Sequence, residues 1–257
     1  VSKPIGLVLY TGPSRLDGAP IVVVATLASK NVKTGNMVQT WILRADADPL
    51  AASRAATDES VCGDCPHRRS LGGACYVNLG QAPVAVWRSW RAGRYAVATP
   101  ALVAEHLAGR TVRLGAYGDP AAVPAAVWES LVAAAAGHTG YTHQWRRAGA
   151  DAYRGLVMAS CDTAAEHAEA ARAGWRTFTV LGTDDAPPMR TFECLADAKG
   201  KSCAECLACD GATVGRDVQA ASVWIRVHGA LAGRFDGAMS ASPSTGRRSD
   251  ALRVLAA

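Results

Sequence analysis

The sequence predicts an α/β fold: a complete or partial β/α barrel, TIM-like, with a cysteine-rich metal-binding C-terminal segment. Three observations lead there. Short β-branched runs alternate with alanine-rich stretches of helical periodicity. From residue 112 to 181 the order is strand, helix, strand, loop, strand, helix, strand, the alternation of a mainly parallel sheet. A chain of 257 residues with strands at this spacing suits a barrel first and a doubly wound sheet second.

The strands are expected at 21–26, 38–43, 112–117, 139–145, 156–160, 177–181 and 222–227, where β-branched and aromatic residues concentrate. Helices are expected at 50–57, 84–91, 100–107, 124–136 and 164–173. Two helix starts are well marked. Pro120 and Pro124 precede Val127, Leu131 and Val132, with Gly137 as the stop. Asp162 and Thr163 offer a cap before Ala164, and Gly174 ends that helix. The organisation read from this is a barrel core at 1–183 carrying a cysteine loop at 62–75. A cysteine-rich segment with the last strand follows at 184–230. A flexible tail is expected at 231–257, because 240–250 is rich in Ser, Gly, Pro and Arg.

Apolar residues at 49% and charged residues at 19% exclude a disordered or fibrous chain. The longest apolar run, 21–28, falls far short of the roughly 20 residues of a membrane span. The opening Val-Ser-Lys-Pro lacks the charged start, apolar centre and small-residue site of a signal peptide. A cytoplasmic protein without a membrane partner is expected. Net charge is +5, with 22 arginines against 5 lysines. The arginines are spread out, and the densest spots are Arg68-Arg69, Arg146-Arg147 and Arg247-Arg248. This pattern favours a solvated basic surface over a nucleic-acid patch.

Seven of the eight cysteines fall in two groups, which in an unexported chain read as metal ligands rather than disulfides. The later group is Cys194, Cys203, Cys206 and Cys209. Its C-x2-C-x2-C run is the spacing of loops that wrap a [4Fe–4S] cluster, whereas zinc usually takes two separated C-x2-C pairs. The earlier group is Cys62, Cys65 and Cys75. Three thiolates leave one position of a four-coordinate metal open for chemistry. Alternatively, His67 closes a Cys3His zinc site, or Cys62 and Cys65 share one zinc with two later cysteines; the spacing leaves these open. Cys161 stands alone and reads as a small core residue.

Parallel β/α architecture places function at the carboxyl ends of strands. Gly118 and Asp119 follow one predicted strand, and His143, Gln144 and Trp145 close the next. Ser160, Cys161 and Asp162 close the third, and His228 follows the last. Asp119, His143 and Asp162 are the candidate catalytic residues. The plainer alternative has Asp162 capping its helix and Asp119 fixing a turn before Pro120.

Several stretches carry a resemblance. Leu9-Tyr-Thr-Gly-Pro-Ser-Arg-Leu, Gln39-Thr-Trp-Ile-Leu-Arg, Cys62-Gly-Asp-Cys-Pro-His, Gly118-Asp-Pro-Ala-Ala-Val-Pro, Gly140-Tyr-Thr-His-Gln-Trp and Gly174-Trp-Arg-Thr-Phe resemble a family of cysteine-rich bacteriophage and prophage proteins to which no activity is assigned. The resemblance spans roughly residues 5–230, and the family is similar in outline to the phage gene-product-88 group. It implies a location in the host cytoplasm.

More distantly, the layout resembles radical S-adenosylmethionine enzymes. These are β/α barrels whose early three-cysteine loop holds a [4Fe–4S] cluster, often with an auxiliary cluster near the C-terminus. The resemblance implies one or two such clusters and S-adenosylmethionine, with Gly115, Gly118 and Asp119 as the nearest match to a cofactor-binding stretch and Asp119 holding the cofactor's amino group. The chain departs from the usual C-x3-C-x2-C, having C-x2-C-x9-C instead.

Two other readings compete with an iron–sulfur enzyme acting on an unknown substrate. One is a zinc-stabilised, non-enzymatic phage protein that binds nucleic acid or a host protein through Arg68, Arg69, Arg146 and Arg147. The other is a hydrolase or nuclease at Asp119, His143 and Asp162 with structural metals only.

Overall fold

In the computed structural model, described over residues 4–211 and 221–235, ten strands form one mostly parallel sheet accompanied by eight α-helices. The chain opens with strands β1 (Gly6–Pro13), β2 (Pro20–Thr26) and β3 (Val38–Arg44). Helices α1 (Pro49–Arg54), α2 (Glu59–Cys62) and α3 (Ala82–Arg91) follow, then a short strand β4 (Ala96–Val97) and helix α4 (Pro100–Leu107). The alternating part is β5 (Thr111–Tyr117), α5 (Ala125–Ala134), β6 (Gly137–Thr142), β7 (Met158–Cys161), α6 (Ala164–Arg172) and β8 (Thr177–Leu181). The chain continues with β9 (Thr191–Glu193), the single-turn helices α7 (Leu195–Ala198) and α8 (Cys203–Cys206), and β10 (Ser222–Arg226).

The strand order is β4-β1-β2-β3-β5-β6-β7-β8-β10-β9, with only the β1–β2 and β2–β3 pairs antiparallel. Residues 21–25 of β2 are fully buried, as a strand covered on both faces requires. The core continues through Ile42, Leu43, Val112, Leu114 and Leu131. Trp128 of α5 is fully buried and donates its indole N–H to the Pro120 carbonyl at 2.8 Å.

The expected alternation from 112 to 181 is present, with parallel pairing throughout. Three differences have physical reasons. β1 was not among the expected strands, because a register shift between Val8 and Tyr10 breaks its alternation and its Thr-Gly-Pro end reads as a turn. β6 ends at Thr142 rather than 145, because a turn with Arg147 N–H bonded to the Gln144 carbonyl at 2.9 Å replaces the ladder. β9 and β10 extend the same sheet, β10 lying between β8 and β9, so the later segment packs onto the core through strand pairing. The expected flexible stretch at 240–250 lies outside the described residues, as do Arg247 and Arg248. Among the described residues, no helix is long and apolar enough to cross a membrane.

Candidate functional site

The loop that carries Cys62, Cys65 and Cys75 is folded by its own polar side chains. Asp58, buried, accepts from Arg68 Nη1 at 3.2 Å and from Ser70 Oγ at 2.8 Å. Cys75 N–H donates to the His67 carbonyl at 2.9 Å, which returns the chain beside the first two cysteines. The loop docks across the carboxyl ends of three parallel strands. Asp119, just past β5, donates its N–H to the Val61 carbonyl at 2.6 Å. Gln144, just past β6, donates its amide to Asp64 at 2.7 Å and to the Cys62 carbonyl at 3.3 Å. Asp162, just past β7, places Oδ1 at 2.9 Å from His67 Nε2.

Burial raises the thiols of Cys62 and Cys65 well above their ordinary range. A charge on Cys75 adds to the effect at Cys62, and a charge on Cys62 to that at Cys65. Burial also raises Cys75.

The expected catalytic residues separate into two kinds. Asp119 is buried and bonded to the protein throughout. Oδ1 accepts from Ala121 N–H at 2.9 Å and Thr142 Oγ1 at 2.7 Å, and Oδ2 accepts from His143 N–H at 2.8 Å. Burial raises its pKa against these bonds. Asp119 thus fixes the β5 and β6 ends and the backbone of His143. Gly115 and Gly118, both at positive φ, serve close packing. A Cβ at Gly115 would meet the Gly118 carbonyl at 2.6 Å, and one at Gly118 would meet Ile42 Cβ at 2.6 Å. The space a cofactor-cradling glycine would leave is filled by β3 and the chain's own turn.

His143 and Asp162 are brought together with His67. Thr163, not Asp162, caps α6, accepting from Glu166 N–H at 3.1 Å, which leaves the Asp162 carboxylate free. The Asp162 side chain is 3% exposed. Its Oδ2 lies 3.8 Å from His143 Nε2. Burial works against its charge, but the His67 and His143 rings and Arg146 outweigh burial and lower its pKa. One ring nitrogen each of His67 and His143 and one Asp162 oxygen lie within 4.8 Å of one another. Among the described residues this is the one group of three His, Cys, Asp or Glu ligand atoms at that spacing. His67 therefore faces Asp162 instead of completing a tetrahedral site with the three cysteines.

The second cysteine group lies on the sheet face near β6, β9 and β10. Cys194 follows β9 and donates its N–H to the Trp224 carbonyl at 2.8 Å. α8 holds Cys203 and Cys206 and starts with a Ser202–Glu205 capping box. All four cysteines line one small, partly open cavity of about 20 Å³, together with Tyr141 and Phe192. Burial pushes Cys209 up to about 12, a bond from the Tyr141 hydroxyl opposing it, and burial also raises Cys203. Arg176, at the foot of β8, holds this loop from below. Its guanidinium reaches Asp210 Oδ1 at 2.5 Å and the carbonyls of Ala208 at 2.5 Å, Gly211 at 2.7 Å and Ala221 at 2.9 Å. His228 sits beside the same region, 3.0 Å from Lys33 Nζ and stacked on Tyr76.

Tetrahedral zinc with Zn–S bonds of about 2.3 Å would hold its sulfurs roughly 3.8 Å apart. No three cysteines among the described residues reach even 4.8 Å mutual spacing. A cubane spreads its thiolates over a wider box than a single zinc does. Cys161 is fully buried in the main core, and burial raises its thiol.

Of the arginines considered for nucleic acid, Arg68, Arg146 and Arg147 are engaged within the protein. Arg68 is buried against Asp58, Arg146 bridges Glu166 at 2.9 Å and Glu169 at 2.7 Å, and Arg147 donates to the Leu16 carbonyl at 2.6 Å. Comparison of the chain with family models, with curated proteins and with solved structures returns no match.

Proposed function

We propose that the chain is an iron–sulfur metalloprotein with a β/α-barrel-like core, working at the carboxyl ends of β5, β6 and β7 on a substrate admitted at that edge. Cys62, Cys65 and Cys75 are the ligands of a [4Fe–4S] cluster with one open position, and Cys194, Cys203, Cys206 and Cys209 those of an auxiliary cluster. When bound, a cluster of the first kind supplies one-electron chemistry, as the resemblance to radical S-adenosylmethionine enzymes implies. The chain's own residues position and shield it. Gln144 and the Asp119 N–H anchor the cysteine loop to the strand ends, and Arg68 with Ser70 keeps the loop closed on Asp58. The origin in a phage or prophage, and the host cytoplasm as location, belong to this same reading.

The observation that carries the reading is the docking of the three-thiol loop across the ends of three successive parallel strands, without the sulfur spacing of a tetrahedral zinc site. The test is metal analysis of protein purified and reconstituted without oxygen. The expected result is brown protein with about two clusters' worth of iron and acid-labile sulfide. Colourless protein with stoichiometric zinc and no sulfide would overturn the proposal.

A further inference from the structure

The spacing of His67, His143 and Asp162 carries an inference of its own. Two imidazoles and one carboxylate are donors for a divalent first-row transition cation, and three of them leave a coordination position for water or substrate. With bonds of about 2.0–2.1 Å, neighbouring ligand atoms on one cation stand roughly 2.9–3.5 Å apart. The separations here are 2.9 Å from His67 Nε2 to Asp162 Oδ1 and 3.8 Å from His143 Nε2 to Asp162 Oδ2. All three ligand atoms lie within 4.8 Å of one another.

A hydrogen-bonded His–Asp–His cluster is the competing account, and the alignment argues against it. His67 Nε2 and Asp162 Oδ1 are in contact at 2.9 Å but do not form a hydrogen bond. These two atoms and His143 Nε2 are all buried without a hydrogen-bond partner. Buried polar atoms are normally paired, and one cation would serve all three. The rings are also held from behind. Phe235 stacks on His67 with centroids 5.2 Å apart, and Asp119 fixes the His143 backbone at 2.8 Å. Support of this kind around the ligands keeps a metal site in shape.

We propose that His67, His143 and Asp162 form a mononuclear site for a divalent first-row transition cation of the Zn2+ or Fe2+ type, distinct from the cysteine ligands. The site deepens the reading of the strand ends as the working edge, and it rests on that placement rather than on the cluster.

The test is equilibrium dialysis of the full chain against Co2+, read by metal content and absorption. Thiolate-bound Co2+ has intense near-ultraviolet charge-transfer bands, whereas a site of imidazole and carboxylate shows only weak visible bands. The expected result is that His143→Ala loses one equivalent of Co2+ and the corresponding weak visible bands, with the thiolate bands unchanged. Equal metal content and equal visible spectra in wild type and variant would overturn the site. Parallel loss of the thiolate bands would overturn its separateness. Where His143→Ala fails to fold by circular dichroism, His143→Gln is read the same way. X-ray absorption of wild-type protein loaded with one equivalent of Zn2+ gives a check without substitution. Nitrogen and oxygen neighbours alone support the site, and sulfur neighbours alone overturn it. Failure of the cluster reading shows separately, as absence of iron and sulfide.

Discussion

Replacing Arg176 by methionine isolates what holds the second cysteine loop. The side chain is buried, and its guanidinium donates to the Asp210 carboxylate and to three carbonyls, those of Ala208, Gly211 and Ala221. Methionine keeps the stem's packing and removes every donor. Four charge-assisted bonds at about 1.5–3 kcal/mol each give a gross figure of about 6–12 kcal/mol. Relief from burying the guanidinium lowers this, and Asp210, 31% exposed, regains water. The net loss expected is about 3–5 kcal/mol, the usual cost of removing one partner of a buried ion pair. For a chain of this size that is a fall in Tm of roughly 6–20 °C. Urea unfolding gives the free energy. Hydrogen exchange by mass spectrometry should show faster exchange at 203–211 with residues 62–75 unchanged. A variant within about 1 kcal/mol of wild type, or exchange unchanged at 203–211, would refute Arg176 as the anchor.

Three further outcomes follow from the same structure. Gly118→Ala combines a positive φ of 82° with a Cβ 2.6 Å from Ile42 Cβ, and should cost about 2–4 kcal/mol in chemical denaturation. Cys206→Ala should lower thermal stability of the metal-loaded protein more than Cys65→Ala does, because a four-thiolate site tethers an otherwise irregular segment while the first loop is already held by Asp58; equal losses would make the first site structural. Glu169→Gln should cost under about 1 kcal/mol at neutral pH, as for an exposed pair with Arg146. The Arg146 bond lowers the Glu169 pKa in the folded state, so its contribution is present above the ordinary carboxylate range and is lost as pH falls through the lowered value; urea titrations at several pH values read this.

Local pattern sufficed for the parts of the fold that depend on near neighbours in the chain. The alternation from β5 to β8 was legible because each strand and helix there repeats its own period, with Pro, Thr and Gly at the boundaries. The grouping of the cysteines along the chain is visible without a fold, because spacing within a loop is a property of a few consecutive residues. The strand end before Asp119 was legible for the same reason, whereas the one before His143 falls three residues earlier than its pattern suggests.

What the sequence alone could not decide are contacts between distant residues. Nothing local distinguishes Asp119, bonded on both oxygens to its own turn and the next strand end, from Asp162, released because Thr163 takes the cap. His67 stood out beside Cys65, but its direction toward Asp162, 95 residues on, depends on where the loop lands on β5, β6 and β7. Arg176 gave no signal, since the carbonyls it serves reach it only once β10 has entered between β8 and β9. Residue type and period determine which elements form and which side chains have chemistry to offer. Sheet order and the closing of long loops determine which of those side chains meet, because that free energy arises only when segments far apart in the chain are buried together.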